Sequence, residues 1–309
     1  MIYSPSIPHF ICISRSAFAL YFYIVLLPSP AYTMAQQTGS SSSGGAGAAL
    51  PRILLLNPNT NTGMTESMAA VARSTPVSPY LDIVPYTCAS GTCPSIDNQH
   101  DIDASARSVW RDINESQAIN PRDDFDAVLV ACFSVHPLVR ELAPADVADD
   151  RPAVTGIFEA GVHAAVALTQ ATGGGGGGGS GAQWGIITTG EFWEKHLTEG
   201  VVAAGADERF AGTFSTGLTA GQMHSLSAEE VRERLSVAAR RLLQKRDVRC
   251  IVMGCGGMAG LEDTIRATAR EVHGDAVADN LYIIDGVKAG IMYLYQVLAS
   301  KKMYSAHKS

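Results

Sequence analysis

"VRCIVMGCGGMAGLEDTI" (Val248 to Ile265) is the stretch on which the fold turns. The apolar run Ile251 to Met253 ends in Gly254, Cys255, Gly256 and Gly257, and an amphipathic segment starts soon after. A short apolar run closed by glycine reads as a buried strand, and the spacing from Leu261 onward reads as a helix. A second stretch, "FDAVLVACFSVHPLVREL" (Phe125 to Leu142), has the same grammar: apolar strand, small residue, Cys132, loop, helix. The two cysteines are 123 residues apart, so each half of the chain carries one. This weak internal repeat is what two similar lobes facing each other would produce.

The same alternation extends outward in both directions. Strands are expected at Arg52 to Asn57, Tyr80 to Tyr86, Ala153 to Phe158, Gln183 to Thr189, Arg209 to Ser215 and Asn280 to Gly286, with a helical pattern after nearly every one. Ser227 and Glu230 have the spacing of a capping box at the start of a strong helix. Strand then helix, repeated, gives an α/β fold with parallel sheet flanked by helices. Chemistry in such sheets sits just past the carboxyl ends of strands. The loops to inspect are therefore "NPNTN" (57–61), "TCASGTCPS" (87–95), "CFSVHP" (132–137), "GIFEAG" (156–161), "TTGEF" (188–192), "GCGGM" (254–258) and "DGV" (285–287).

Bulk composition narrows the function. The 309 residues are 46% apolar and 17% charged, with net charge −7. That supports a sizeable core and excludes the basic surface that nucleic-acid binding requires. Cysteines stand at 12, 88, 93, 132, 250 and 255, too sparse for a disulfide scaffold. Cys88 and Cys93 lack a second pair or a histidine cluster, so no metal site is expected. Residues 1–50 read as an extension outside the fold. Ala17 to Thr33 resembles the apolar core of a signal peptide. It is read either as a secretory signal cleaved near Ala31 or as an upstream extension of a chain starting at Met34. The second reading, with a cytoplasmic protein, is preferred. No membrane span is expected for the mature core. Gly173 to Gly181 is a polyglycine insert, expected as a surface loop.

A thiol at a strand end, beside loop N–H groups and a helix start, has reason to be reactive. Such surroundings lower its pKa from about 8.5 toward neutrality. Two thiols on opposite walls of a cleft suit one reaction: inversion of a carbon stereocentre. One group removes a proton from one face and the other delivers a proton to the opposite face. The carbanion needs an adjacent carbonyl and oxyanion-type donors, which amide- and hydroxyl-rich loops can supply.

In chain order, "LLNPNTNTGMT", "ACFS", "GIFEAG", "GIITT", "GCGGM" and "IIDGV" resemble the hydantoin racemases of the aspartate/glutamate racemase superfamily. The resemblance runs from about Arg52 to Ala299. It implies two pseudo-symmetric α/β lobes with the site in the cleft between them. Lobe 1 would span 51–157 plus 281–300, taking back the carboxy-terminal strand and helix, and lobe 2 would span 158–280. The implied activity is cofactor-independent racemisation at C5 of a 5-substituted hydantoin or of allantoin. Cys132 and Cys255 match the catalytic cysteines. Asn59 matches a substrate-contacting position, with Asn57 next, and Ser134, Thr188, Thr189, Gly256 and Gly257 fall in the pocket loops. The partner implied is a small ureide, and the assembly a homo-oligomer.

Three departures accompany the match. "SVHP" follows Cys132 where an acidic residue is usual, Gly256 replaces a usual alanine, and the polyglycine insert is additional. Val135 and His136 thus bear on substrate identity. Competing readings stay open: a single-cysteine decarboxylase or isomerase, a catalytically silent ureide-binding protein, and a Cys-His hydrolase using His136. Pro137 argues instead that His136 begins a helix. Glu159 reads as a helix-dipole partner, Asp285 as a cap or a pocket wall, and Trp184 and Trp193 as packing residues.

Overall fold

Two four-stranded sheets, every pairing parallel, form the frame of the computed structural model, which describes residues 49–91, 93–145, 152–172, 181–258 and 260–305. These residues belong to one compact unit. The amino-terminal extension through residue 48 and the polyglycine stretch 173–180 lie outside the described residues.

The first half runs β1 (Arg52–Asn57), α1 (Thr62–Arg73), β2 (Asp82–Thr87), α2 (Gln99–Asn114), α3 (Pro121–Asp124), β3 (Ala127–Val130), α4 (Pro137–Glu141), β4 (Ala153–Gly156) and α5 (Ile157–Thr172). The second runs β5 (Gln183–Thr188), α6 (Phe192–Ala203), β6 (Phe210–Ser215), α7 (Gln222–Ser225), α8 (Ala228–Leu243), β7 (Val248–Gly254), α9 (Glu262–His273), α10 (Asp275–Asp279), β8 (Tyr282–Asp285) and α11 (Gly286–Tyr304). Strand order is β2-β1-β3-β4 in the first sheet and β6-β5-β7-β8 in the second. Each sheet is the other shifted by four strands, so the repeat seen around the two cysteines covers the whole architecture.

Alternation along the strands builds three cores. Ile53, Leu55, Ala127 and Leu129 face inward and share one central cluster with Ile186, Cys250 and Val252 of the second sheet. Leu54, Leu56, Val128 and Val130 face outward against Ala106 and Val109 of α2. Ile187, Ile251 and Met253 face outward against Leu235 of α8 and Ile265 of α9. Strands covered on both faces read as continuous apolar runs, which is how "ILLL" and "AVLV" appear. Helix starts follow the local chemistry: Asn61, Asn98 and Asp285 accept backbone N–H bonds as caps of α1, α2 and α11, and Ser227 with Glu230 forms a complete capping box on α8.

The carboxy-terminal segment departs from expectation. The strand does not rejoin the first sheet; β8 pairs with β7, Cys250 opposite Tyr282 through Met253 opposite Asp285. Only the helix crosses. α11 packs on β3, β4 and α1 of the first half, while α5, which leaves the first sheet, packs on β7, β8 and β5 of the second. The halves thus exchange their last helices, and α5 and α11 lie against each other. The exchange has a steric reason. α5 vacates the inner face of its own sheet, and α11 fills it closely enough that a Cβ at Gly290 would sit 2.5 Å from Leu129 Cδ1.

Candidate active site

Both sheets have a switch point where the connections leave in opposite directions, between β1 and β3 and between β5 and β7. Such points open a crevice at the strand ends. The two crevices face one cavity lined by Asn59 after β1, Ala131 to Phe133 after β3, Thr189 after β5, and Gly254 to Gly256 at the end of β7. Both Cys132 and Cys255 lie on its wall.

Each thiol has a donor aimed at it. Ser134 Oγ donates to Cys132 Sγ at 3.3 Å, and the Gly257 N–H donates to Cys255 Sγ at 3.3 Å. The second donor exists because Gly256–Met258 winds into a tight helical turn directly after Cys255. Neither thiol is activated, contrary to the expectation from sequence. Burial pushes Cys132 up to about 12, with Cys255 and Glu159 adding to the rise and Ser134 opposing it. Burial pushes Cys255 up to about 11, with the Gly257 and Met258 N–H groups opposing it and Asp97 reinforcing it. The physical reason is twofold. α4 begins only at Pro137, too far along the chain for its amino end to serve Cys132. The remaining walls, Met64, Ile96, Phe133, Trp193 and Ala220, are apolar.

Of the other residues singled out by sequence, Asn59, Thr189 and Gly256 line the cavity, whereas Asn57, Ser134, Thr188 and Gly257 do not. Asn57, Ser134 and Thr188 are fully buried and stand behind the wall, and Gly257 lines a neighbouring groove. Asn57 is fully buried; its Nδ2 donates to Asn59 Oδ1 and Thr65 Oγ1, both at 2.9 Å. Asn59 Oδ1 also accepts the Asn61 N–H at 2.9 Å. That network turns Asn59 Nδ2 toward Met64 Sδ, 3.4 Å away. A thioether is a weak acceptor, so this amide keeps donor capacity for a ligand. Thr188 Oγ1 donates to the Gly254 carbonyl at 3.0 Å and so ties β5 to the residue before Cys255.

His136 caps α4. Its Nδ1 accepts the Leu138 N–H at 3.3 Å, and its Nε2 lies 3.1 Å from Ser105 Oγ. Burial lowers it to about 4, so the ring is neutral, with both nitrogens engaged away from the thiols. Asp285 caps α11 and does not line the cavity. Glu159 is near enough to Cys132 to bear on its charge, and its buried Oε2 has no hydrogen-bond partner among the described residues. Trp184 is fully buried, whereas Trp193 reaches the cavity wall. Ile96, Trp193 and Ala220 were not singled out from sequence as site residues. Ile96 and Trp193 each follow directly on a loop flagged there, but nothing in the sequence points to Ala220.

The family model for Asp/Glu/Hydantoin racemase matches residues 53–294. A hydantoin racemase of Paenarthrobacter aurescens is 29% identical over 216 residues, 68% of this chain and 79% of its own. An uncharacterised protein of Schizosaccharomyces pombe is 31% identical over 245 residues, 79% of this chain and 90% of its own. Among solved structures, an allantoin racemase from Klebsiella pneumoniae superposes with TM-score 0.62 at 24% identity, over 81% of this chain and 88% of its own. A glutamate racemase from Bacillus anthracis does so with TM-score 0.56 at 14% identity, over 82% and 84%. These structures share the two-lobed α/β fold. With a family model spanning residues 53–294 and two thiols on one cleft, the protein belongs to the Asp/Glu/hydantoin racemase family of isomerases.

Proposed function

We propose that the protein inverts the C5 stereocentre of a 5-substituted hydantoin or of allantoin by proton transfer between Cys132 and Cys255. The observation that carries this reading is the pair of thiols on one cavity where, among the described residues, the lining bears no formal charge. A free amino acid brings an ammonium and carboxylates that such a wall cannot neutralise. A neutral ring with amide N–H and C=O groups suits it.

One cysteine, as thiolate, takes the C5 proton and becomes a thiol. The electron pair spreads onto the adjacent carbonyl oxygen, toward which Asn59 Nδ2 can donate. The thiol on the opposite wall then protonates C5 from the other face and is left as thiolate. The two cysteines thus exchange roles, so the pair now fits the opposite enantiomer, and proton exchange with solvent resets it for another turnover in the first direction. Because burial raises both thiols, the thiolate is scarce at neutral pH. The rate should therefore climb with pH beyond the range of an ordinary cysteine, as a property of the coupled pair.

Single enantiomers of a 5-alkyl hydantoin and of allantoin, incubated in heavy water, test this directly. Loss of optical rotation with deuterium at C5 is expected, faster for the alkyl hydantoin because Met64, Ile96, Phe133 and Trp193 form apolar walls. Cys132→Ser and Cys255→Ser should each lower racemisation by about a hundredfold or more. Exchange no faster than the spontaneous rate on either ring would overturn the proposal, and full activity in either variant would remove the two-thiol mechanism.

A further inference from the structure

The loops that follow β2 and β6 occupy equivalent places in the two halves, and they meet. Ile96 from the first and Ala220 from the second both line the cavity. Between them, Asp97 Oδ1 accepts the Ala220 N–H at 3.1 Å, a bond between residues 123 apart in sequence. The carboxylate is anchored on its own half. Ser95 Oγ donates to Asp97 Oδ2 at 2.7 Å, and the Asp97 N–H donates to Asp101 Oδ2 at 3.1 Å in the first turn of α2. A part-exposed carboxylate held this firmly and reaching across to one backbone amide works as a strap, since an ionised acceptor makes the stronger kind of hydrogen bond. Its charge also bears on Cys255, which lies on the opposite half. The other groups around that thiol are Cys132 across the cavity and the N–H groups of Gly257 and Met258. Cys93, in the same loop as Asp97, bears on Cys132.

We propose that Asp97 closes the rim of the cleft by bridging its two halves and so governs the access of substrate to Cys132 and Cys255. Its catalytic half rests on the reading of Cys132 and Cys255 as the proton-transfer pair; its structural half does not. Substrate access then requires the Asp97–Ala220 bond to open and product release requires it again.

Two variants separate the bond from the charge. Asp97→Asn keeps an acceptor for the Ala220 amide and removes the charge, whereas Asp97→Ala removes both. Iodoacetamide labelling of the full chain, read peptide by peptide by mass spectrometry, reports on the cleft without any substrate. Labelling of Cys132 should rise about tenfold in Asp97→Ala and stay at the wild-type rate in Asp97→Asn. In Asp97→Asn, the pH profile of Cys255 labelling should move to lower pH, because a negative charge beside that thiol is gone. In racemisation assays, Asp97→Ala should raise KM and lower kcat, and Asp97→Asn should restore KM. Equal Cys132 labelling in wild type and Asp97→Ala, with no shift of the Cys255 profile in Asp97→Asn, would overturn the strap. Should Asp97→Ala not fold, amide hydrogen exchange on the wild type decides. Protection at Ala220 is expected, and exchange at the unprotected rate refutes the bond. A wild type that racemises neither ring but shows the labelling pattern would sink the proposed activity and leave the strap standing.

Discussion

Glu159 is held against its ordinary ionisation at the level of a single residue. It sits in the first turn of α5, folded back over Gly156, where a Cβ would fall 2.3 Å from its Oε2. The helix start favours its charge, as the sequence suggests, but burial outweighs this and raises the carboxyl to about 7. A folded-state pKa above the unfolded one favours folding at low pH. That contribution is full below the ordinary carboxylate range and is lost as pH rises through about 7. Wild type should therefore lose up to about 3 kcal/mol of stability between pH 5 and pH 8 relative to Glu159→Gln. Urea unfolding of both proteins across that range checks it, and parallel pH curves would refute the assignment. His136 shows the opposite balance of sequence and structure. Its neighbour Pro137 already pointed to a helix start, and the ring does cap α4. The raised thiols are not legible in the sequence, because desolvation depends on which apolar walls arrive from elsewhere in the chain.

Gly254 shows how one element positions a reactive group in another. It closes β7 against β5, where a Cβ would lie 2.9 Å from the Ile187 carbonyl oxygen and 2.8 Å from Ile186 Cγ2. The neighbour is backbone, so nothing can rotate away. Gly254→Ala should push the end of β7 off β5, break the Thr188 bond to the Gly254 carbonyl and displace Cys255. We expect a loss of about 1–3 kcal/mol, read as a lower urea midpoint at unchanged slope. Activity should fall further than stability alone explains. A crystal structure of the variant with Cys255 in place would contradict this. The glycine is visible in "GCGG", but the reason for it is the close approach of β5, a strand more than 60 residues upstream.

Across the whole molecule, the exchanged helices make two lobes into one folding unit. α5 belongs by sequence to the first sheet and by packing to the second, and α11 the reverse. The central cluster draws on β1 and β3 as well as β5, β7 and β8, so neither half can keep its core alone. Unfolding should therefore be a single cooperative transition despite the internal repeat. Far-ultraviolet circular dichroism should coincide with tryptophan fluorescence, whose reporters are Trp110 in the first half and Trp184 and Trp193 in the second. Two separated transitions would show that the halves fold independently.

Sequence alone determined the strand–helix alternation, the parallel sheets, the internal repeat and the candidacy of the strand-end loops. All of these follow from local periodicity, glycine punctuation and apolar runs, which need no knowledge of distant residues. Tertiary structure decided the rest. It kept β8 in the second sheet and sent only α11 back, because strand pairing and the cover of a vacated face are contacts between remote segments. It divided the singled-out polar residues into Asn59 and Thr189 on the cavity and Asn57, Ser134 and Thr188 behind it. It also set the state of both thiols, because a pKa is governed by the walls and charges that folding brings around a group and not by its neighbours in the chain.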